Sequence, residues 1–494
     1  MALWFPRLPT DRLQRREPTK GAAPLVLVSK VDNALRLSAV DRRGTALGLT
    51  IGQPLANARA MLPALDVVTA DDAADLKLLE RIAEWCDRFT PFVALDGPRR
   101  LLLDVTGASH LFGGEQMMLD RIRESLTLQG FAVRGAVAAS ATAARALARY
   151  RDGAVIASGD EEKVMKSLPV EALDLDPLTT HAFRRAGLKT VGQVASRKRS
   201  EITTRFGAGV VATLDLAFGH TQKPITPRTQ PPDYWQEQNF AEPVATQVVI
   251  SNTLTFLAGG LAKTLERHGE GARRLEAVFF RSDGKVRRIA IEMGVPTREP
   301  AIIERLFREK LDTLADPLDP GFGFDLIRLS ATRVERAVAQ AVDLDAHANA
   351  ASEIGFLVDR LATRFGSDRI LVFQPHDTHI PEAAWRMIPA QNAKDAKRMW
   401  TKIRNSKDAP RRALRLFARP QPIEFTLAQQ FVWRRVVHGV AKQAGPERIA
   451  MEWWRSGTQQ PERDYFRVED GEGRRYWLYR NGVSAQWFVH GVFA

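Results

Sequence analysis

The segment around Asp96 and Asp104 combines an apolar run with charged side chains suited to metal and phosphate chemistry. Leu101–Thr106 is bounded by Gly-Pro and Gly-Ala, which predicts a buried strand. Asp96 and Asp104 could bind Mg²⁺, which takes carboxylate oxygens as ligands. Arg99 and Arg100 directly precede the run, and guanidinium groups repel a cation. Two Mg²⁺ ions about 3.5–4 Å apart are the catalysts of nucleotidyl transfer. Whether carboxylates or guanidinium groups stand where such ions would bind therefore decides whether this segment can support that chemistry.

A second acidic cluster consists of Asp71, Asp72 and Asp75. These residues lie in the first turn of an amphipathic helix predicted over Asp71–Phe89, where carboxylates interact favourably with the helix dipole. We therefore interpret them as a solvated cap and not as a metal site. Cys86, the only cysteine, lies on the apolar face of this helix, so we expect a core residue. One cysteine excludes intrachain disulfides and fits a reducing cytoplasm.

Residues 182–194 fit a helix-hairpin-helix pattern rich in basic side chains. A glycine permits the tight hairpin, and we expect the second helix to begin with free backbone N–H groups that could hold a phosphate. Such contacts position DNA without reading its sequence. A helix-turn-helix unit used only for packing would give the same pattern. The candidate DNA-binding residues are Arg184, Arg185, Gly187, Lys189, Thr190 and Gly192.

Residues 240–334 fit the order β-α-β-β-α-β, with helices predicted at 252–267 and 301–314 and a hairpin turned by Ser282-Asp283-Gly284. Basic side chains flank this hairpin and suit a duplex backbone. Lysine and arginine also protect exposed sheet edges, so both interpretations stay open. The residues concerned are Arg281, Lys285, Arg287 and Arg288.

Length and charge limit the class of protein. A chain of 494 residues is too long for one hydrophobic core and predicts several domains. The net charge of +13 and the pI of about 10.0 indicate a polyanionic partner, most simply nucleic acid. The sequence lacks a run of 18 apolar residues and a signal-peptide pattern, so we expect a cytoplasmic protein.

Leu-Asp-Val-Thr-Gly at 103–107, followed by Leu-Phe-Gly, resembles the palm of Y-family translesion DNA polymerases. In that family an Asp-Glu pair earlier on the same strand supplies catalytic carboxylates, and an ungapped alignment places this pair on Arg99 and Arg100. The metal-binding positions of the family's first strand fall near Trp4 and Pro6, which cannot bind metal. The resemblance therefore implies a polymerase scaffold without catalytic residues, metal or cofactor.

The nucleotide-binding positions depart from the same family. The fingers Tyr and Arg that hold the triphosphate fall on Arg42 and Thr45, and the Asn-Lys of a later palm motif falls on Ser140-Ala141. Metal ligands and nucleotide ligands have thus been replaced together.

An alternative keeps the chain an active Y-family polymerase with displaced ligands. Asp11, Asp96 and Asp104 would then supply the carboxylates. This alternative requires the three side chains to converge within reach of one metal site.

The resemblance implies an α+β multidomain fold: a right hand of palm, fingers and thumb, a ferredoxin-like little finger, and a mixed C-terminal interaction region. We expect the following division: palm 1–22 and 76–166, fingers 23–75, thumb 167–224, linker 225–239, little finger 240–336 and partner-binding region 337–494.

The whole chain, from the palm to the C-terminal region, resembles the ImuB family, the catalytically degenerate Y-family homologues of bacterial mutagenesis cassettes. Asp464–Asp470 (DYFRVED) and Trp487–Phe493 (WFVHGVF) carry this resemblance, and residues 394–419 are strongly basic. Seven of the ten tryptophans lie after residue 384, and we expect most of them in a core. The family implies a nucleoid- or replisome-associated adaptor of the SOS response that bridges the β sliding clamp, the RecA-like ImuA and the error-prone polymerase ImuC.

Two segments are candidates for the clamp-binding motif, which in this family often reads Gln-Leu-x-Leu-(Phe/Trp). Gln340 and Leu344 occupy the expected place after the little finger but lack the terminal aromatic residue. Leu414, Leu416 and Phe417 supply the Leu-x-Leu-Phe part without the glutamine. By position, the first segment is favoured.

Overall fold

The computed structural model describes residues 1–16, 23–229, 232–314, 318–337, 346–393, 412–426, 429–452, 454 and 461–493, with only the backbone described for 346–352. The helices are α1 (Leu8–Arg16), α2 (Arg42–Ala46), α3 (Leu55–Met61), α4 (Asp72–Cys86), α5 (Glu115–Leu128), α6 (Ala141–Tyr150), α7 (Glu161–Met165), α8 (Pro177–Arg185), α9 (Val191–Ala195), α10 (Arg199–Phe206), α11 (Ala208–Ala217), α12 (Gln247–Arg267), α13 (Pro300–Asp312) and α14 (Ala346–Phe365).

The strands alternate with these helices and form sheets, a hairpin and a barrel. They are β1 (Ala2–Trp4), β2 (Leu25–Val31), β3 (Ala34–Val40), β4 (Asp66–Thr69), β5 (Val93–Leu95), β6 (Arg100–Leu103), β7 (Arg134–Ala136), β8 (Tyr234–Val244), β9 (Glu270–Arg281), β10 (Val286–Thr297), β11 (Phe324–Arg336), β12 (Leu371–Pro375), β13 (Trp385–Pro389), β14 (Arg415–Thr426), β15 (Gln430–Trp433), β16 (Val436–Ile449), β17 (Arg463–Asp470), β18 (Arg475–Asn481) and β19 (Trp487–Val492). The α+β multidomain class predicted from the sequence is confirmed.

The first sheet has the antiparallel order β5-β6-β1-β7. Because side chains alternate along a strand, Leu3 and Leu101 pack on α4 and α5, while Ala2 and Leu102 face α6 and the helices that follow it. The strand predicted over 101–106 ends at Leu103, since the chain turns there.

The acidic cluster at the start of α4 serves two structural purposes. Asp71 caps the helix, because its Oδ1 accepts the Ala74 N–H at 2.9 Å. The sequence predicted that Asp75 is solvated, and this prediction is wrong. Asp75 is buried and accepts a hydrogen bond from Arg12 Nε at 2.6 Å. Cys86 lies in the core as predicted, and burial raises the pKa of its thiol.

Helices α8 to α11 pack against α6 and share its hydrophobic core. The small sheet β3-β2-β4, with α2 and α3, comes between α1 and α4 in the chain. It has its own hydrophobic cluster, and Leu13 of α1 packs against its other face.

Strands β8 to β11 form a four-stranded sheet of order β10-β9-β11-β8 that packs with α12 and α13. The predicted β-α-β-β-α-β order is confirmed. The predicted linker was too long, because β8 begins at Tyr234 and pairs along β11. Helix α12 is long and apolar enough to cross a membrane by length and composition. Its apolar stripe, including Leu254, Leu257 and Leu261, is buried in the core of this domain.

The C-terminal region contains a closed barrel of six strands, β14 to β19, in sequential antiparallel order. The sequence predicted only a mixed region and missed this barrel. Trp477 is fully buried, and Trp433 and Trp487 pack at the barrel core, as expected for core residues. Trp385 and Trp454 are exposed instead.

A buried histidine makes the stability of the barrel depend on pH. His490 Nδ1 lies 2.7 Å from the Tyr465 hydroxyl, and burial lowers the pKa of His490 to about 4 although Glu382 opposes this shift. Because the unfolded chain has the ordinary value of 6.5, this group's contribution is fully present above pH 6.5. It is lost as the pH falls towards 4, and amounts to about 3 kcal/mol.

We therefore expect the thermal stability of the barrel to fall steeply between pH 6.5 and 4, and His490→Phe to flatten that dependence. Melting curves followed by tryptophan fluorescence measure it. The exposed His181 provides a control, since His181→Ala should leave the profile unchanged. An equally steep profile in His490→Phe would assign the effect to other groups.

Candidate functional site

The four residues at the polymerase metal positions come together where β1 and β6 lie side by side. Trp4 is the register partner of Arg100 on β6, and the Phe5 N–H donates to the Arg99 carbonyl at 2.9 Å. Arg99 Nη1 in turn donates to the Pro6 carbonyl at 3.4 Å. The backbones of the four residues are thus adjacent, while the Arg99 and Arg100 side chains extend to opposite sides of the sheet.

Arg99 connects this sheet to the small sheet of β2 to β4. Its Nη2 donates to the Ser38 carbonyl on β3 at 2.9 Å. Burial lowers the pKa of Arg99, and the charges of Asp75 and Asp72 oppose that shift. The side chain is therefore a buried cation that holds two subdomains together.

Arg100 makes the corresponding connection on the other side. Its Nη1 lies 2.6 Å from Asp174 Oδ2, in the segment before α8, and its Nε lies 3.1 Å from Asp96 Oδ2. Asp96 also pairs with Arg145 Nε at 3.1 Å. The carboxylate of Asp96 is consequently neutralised by two arginines.

Asp11 and Asp104, two of the carboxylates that an active polymerase would need as metal ligands, make separate local contacts. Asp11 Oδ2 accepts the Ala132 N–H at 2.8 Å, and burial raises the pKa of Asp11. Asp104 Oδ1 accepts the Thr106 N–H at 2.9 Å in a local turn. Across the described ranges, no group of three or more His, Cys, Asp or Glu side chains is arranged to hold a metal ion.

The predicted nucleotide-binding positions are mostly engaged in local bonds. Thr45 Oγ1 donates to the Asp41 carbonyl at 2.8 Å, and Ser140 Oγ accepts the Ala143 N–H at 3.0 Å as the cap of α6. Arg42 is exposed at the first residue of α2. Thr45 is also exposed, whereas Ser140 is buried.

The helix-hairpin-helix forms as predicted between α8 and α9, with Gly187 at φ 77°. The expectation of free N–H groups was wrong. The N–H groups of Lys189 and Thr190 donate to Gln193 Oε1, and the Gln193 N–H donates back to Thr190 Oγ1. The next two N–H groups donate to carbonyls of the segment before α8, and Gly192 packs against the Lys166 carbonyl.

Charge on the hairpin is therefore carried by side chains. Arg184 pairs with Glu171. Arg185 and Lys189 are exposed and have no ion pair within the described ranges. Sequence reasoning missed Arg197 and Lys198, which are also exposed just after α9; the basic run at 197–199 was the signal.

The basic residues of the β9–β10 hairpin divide into two groups. Arg281 is buried and pairs with Asp283 and Asp319, while Arg288 pairs with Glu276 at 2.9 Å and with Asp87 at 2.9 Å. Both arginines form ion pairs within the fold; Arg281 is buried, whereas Arg288 is partly exposed, and a DNA contact of either residue stays a prediction. Lys285 and Arg287 are exposed next to them, at the outer strand of the sheet.

The structure describes one of the two candidate clamp-binding segments. Gln340 and Leu344 lie outside the described residues. Leu416 and Phe417 belong to β14, where both side chains pack against the barrel core and the Phe417 ring lies 5.9 Å from that of Trp433. Leu414, before the strand, is 80% exposed. The second candidate is thus largely part of the barrel.

Comparisons with known proteins identify a matching domain family, similar sequences and a similar solved structure. Residues 232–346 match the impB/mucB/samB family C-terminal domain, which coincides with the β8–β11 domain. DNA polymerase IV of Caulobacter vibrioides is 23% identical over 66% of this chain and 81% of its own length. The solved insertion ternary complex of Dbh DNA polymerase is similar at 14% identity and a TM-score of 0.41, covering 68% of this chain and 99% of that one.

A second protein of Caulobacter vibrioides covers far more of the sequence. Protein ImuB of that organism is 36% identical over 468 residues, which is 90% of this chain and 100% of the relative. This similarity includes both the polymerase-like region and the C-terminal region. The chain belongs to the ImuB family of Y-family DNA polymerase relatives.

Proposed function

We propose that this chain is a non-catalytic, DNA-binding adaptor in damage-induced translesion synthesis and mutagenesis. One observation carries the proposal: the side chains at the metal positions are Trp4, Pro6, Arg99 and Arg100, and both arginines are bonded to neighbouring subdomains. None of these four side chains can bind a cation, and the neighbouring Asp96 is already paired with Arg100 and Arg145. The scaffold of a polymerase is thereby used to bind DNA without extending it.

DNA binding is proposed to be independent of sequence. Exposed cations of the hairpin and of β10 are suited to phosphates, and phosphate contacts position a protein without specifying bases. The net charge of +13 favours such binding. A role at the nucleoid or replisome in the cytoplasm follows from this proposal.

Partner binding is proposed for residues 337–494, which would bridge the β sliding clamp, ImuA and ImuC. Aromatic residues are enriched at protein interfaces, and this region exposes Trp385 and Trp454. Val483, 84% exposed in the β18–β19 turn, adds apolar surface on the barrel. These side chains give the region contact surface beyond its own core.

Charge reversal at Arg185 and Lys189 tests the DNA-binding part. The double variant is expected to weaken binding to all sequences alike and to flatten the log–log salt dependence by about 1.8, since each phosphate contact contributes about 0.9. Fluorescence anisotropy with a labelled duplex measures both quantities. Arg184→Gln on the same helix is the matched control, because that arginine already pairs with Glu171. An unchanged slope in the double variant would remove the hairpin from the DNA interface.

The clamp contact is tested separately. Gln340→Ala with Leu344→Ala is expected to abolish binding to immobilised β clamp while DNA affinity stays constant. The control is Leu414→Ala, which truncates an exposed leucine of the other candidate segment. Loss of clamp binding in the control, with the double variant unaffected, would transfer the contact to the start of the barrel.

A further inference from the structure

The face of the first sheet that carries Trp4 also presents two arginines. Arg134 is the register partner of Trp4 on β7, and Arg149 lies in the last turn of α6. Their Cζ atoms lie 5.6 Å and 5.9 Å from the centre of the Trp4 ring. Within the part of the chain that the structure describes, neither arginine has an ion pair. The three side chains come from three elements and form one cluster.

The indole explains how the two guanidinium groups are held without a carboxylate. Cations are attracted to the face of an aromatic ring, and tryptophan is the strongest such partner. Asp174 and Glu171, whose charges act on the adjacent Tyr150, already pair with Arg100 and Arg184. Trp4 is thus a positioning residue for two cations whose charges are not balanced locally.

Two positive charges near one ring repel each other unless an anion lies between them. Planar guanidinium groups match the geometry of phosphate oxygens and bind them with paired hydrogen bonds. A divalent cation, in contrast, would be repelled by this cluster. The chemistry of the cluster therefore selects a phosphate.

The position of the cluster favours a phosphate of a DNA strand. Arg100, the register partner of Trp4 on β6, pairs with Asp174 in the segment before α8 at 2.6 Å. Trp4 also packs against the hydrophobic core that α6 shares with α8 and α9, so the Trp4 cluster and the hairpin belong to neighbouring elements. A strand following the hairpin would reach the Trp4 cluster.

We infer that Arg134 and Arg149, held by Trp4, form a metal-independent binding site for a DNA backbone phosphate at the place where a polymerase would hold its metal ions. The inference rests on the proposed DNA-binding function and adds a specific site to it.

The test uses the full chain and a labelled primer–template duplex in fluorescence anisotropy. Binding is compared in Mg²⁺ and in EDTA at matched ionic strength, and we expect equal affinities. Arg134→Gln with Arg149→Gln should weaken binding roughly tenfold and flatten the salt dependence by about 0.9 for one phosphate lost. Arg121→Gln is the matched control, because Arg121 lies near the Phe112 ring from α5, on the opposite face of the sheet.

Trp4 variants separate positioning from charge. Trp4→Ala should weaken binding like the double arginine variant and add nothing in that background, whereas Trp4→Phe should restore most of the affinity. Thermal unfolding of each variant identifies any that fails to fold. If Trp4→Ala is misfolded, the double arginine variant with its Arg121→Gln control decides the question.

The outcomes are distinguishable. A wild-type chain that binds no DNA would overturn the proposed function together with this inference. A wild-type chain that binds DNA, with the double variant unchanged or with affinity lost in EDTA, would overturn the inference alone. Displacement of the duplex by a moderate excess of dATP would overturn the assignment to a DNA strand and indicate a free nucleotide instead.

Discussion

Asp87→Ala is expected to destabilise the contact between the first sheet domain and the β8–β11 domain by about 3–5 kcal/mol, because it leaves buried arginines without their carboxylate. Asp87 follows α4 and is almost fully buried. It pairs with Arg228 of the connecting segment and with Arg288 of β10 at 2.9 Å. Its carbonyl accepts a bond from Arg328 of β11 at 2.8 Å. Burial raises the pKa of Asp87 to about 6, although the three arginines oppose that rise.

Limited trypsin digestion and thermal denaturation measure this effect. In the wild type Arg228 is held by Asp87, so cleavage after Arg228 should accelerate strongly in the variant, and the melting temperature should fall. Asp325→Ala is the matched control: among the described residues Asp325 pairs with Arg88 alone, at 2.9 Å, and is more exposed, so this variant removes one ion pair of the same contact and not a carboxylate shared by two arginines. Equal cleavage rates in Asp87→Ala and Asp325→Ala would show that the two domains are held together by other contacts.

Restoring acids at the former metal positions is expected to harm the fold without producing a polymerase. Arg99→Asp with Arg100→Glu removes the bonds to Ser38, Pro6 and Asp174 and brings carboxylates next to Asp96. We expect a loss of about 3 kcal/mol or more, since buried hydrogen bonds of charged groups and unpaired charges are costly. Extension activity should stay absent because Trp4 still occupies the first-strand position.

Thermal denaturation and primer extension on the same preparations measure both effects. Arg36→Asp is the matched control for stability: Arg36 also donates to a backbone carbonyl, that of Gly52 at 3.0 Å, but at the surface of the fingers region. A stable Arg99→Asp, Arg100→Glu variant that extends primers would contradict the structural role assigned to the two arginines.

The sequence predicted the elements of the polymerase-like region because their hydrophobic periodicity is local. The resemblance to Y-family polymerases, and not periodicity, placed Trp4 and Arg100 at metal positions, and the register of β1 with β6 brings them side by side. The sequence could also have predicted that the backbone N–H groups at the start of α9 are already hydrogen-bonded, since Thr190-x-x-Gln193 is a capping-box pattern. That signal was overlooked in favour of a phosphate site.

Other features depend on contacts between residues far apart in the chain. Arg288 was interpreted as a DNA-binding side chain, yet its partner Asp87 lies 201 positions earlier. Leu416 and Phe417 resembled a clamp motif locally, but in β14, which pairs with β19, both side chains are partly buried against the barrel core. Neither outcome follows from local pattern, because ion pairing and barrel closure are decided by tertiary structure.

Primer extension by the purified wild-type chain, with Mg²⁺ and with Mn²⁺ on intact and damaged templates, tests the central claim most directly. Gel-shift binding of the same duplex is measured in parallel. The account predicts DNA binding with no added nucleotide under either metal. Extension that disappears in Asp96→Ala or Asp104→Ala would contradict it and establish the chain as an active polymerase.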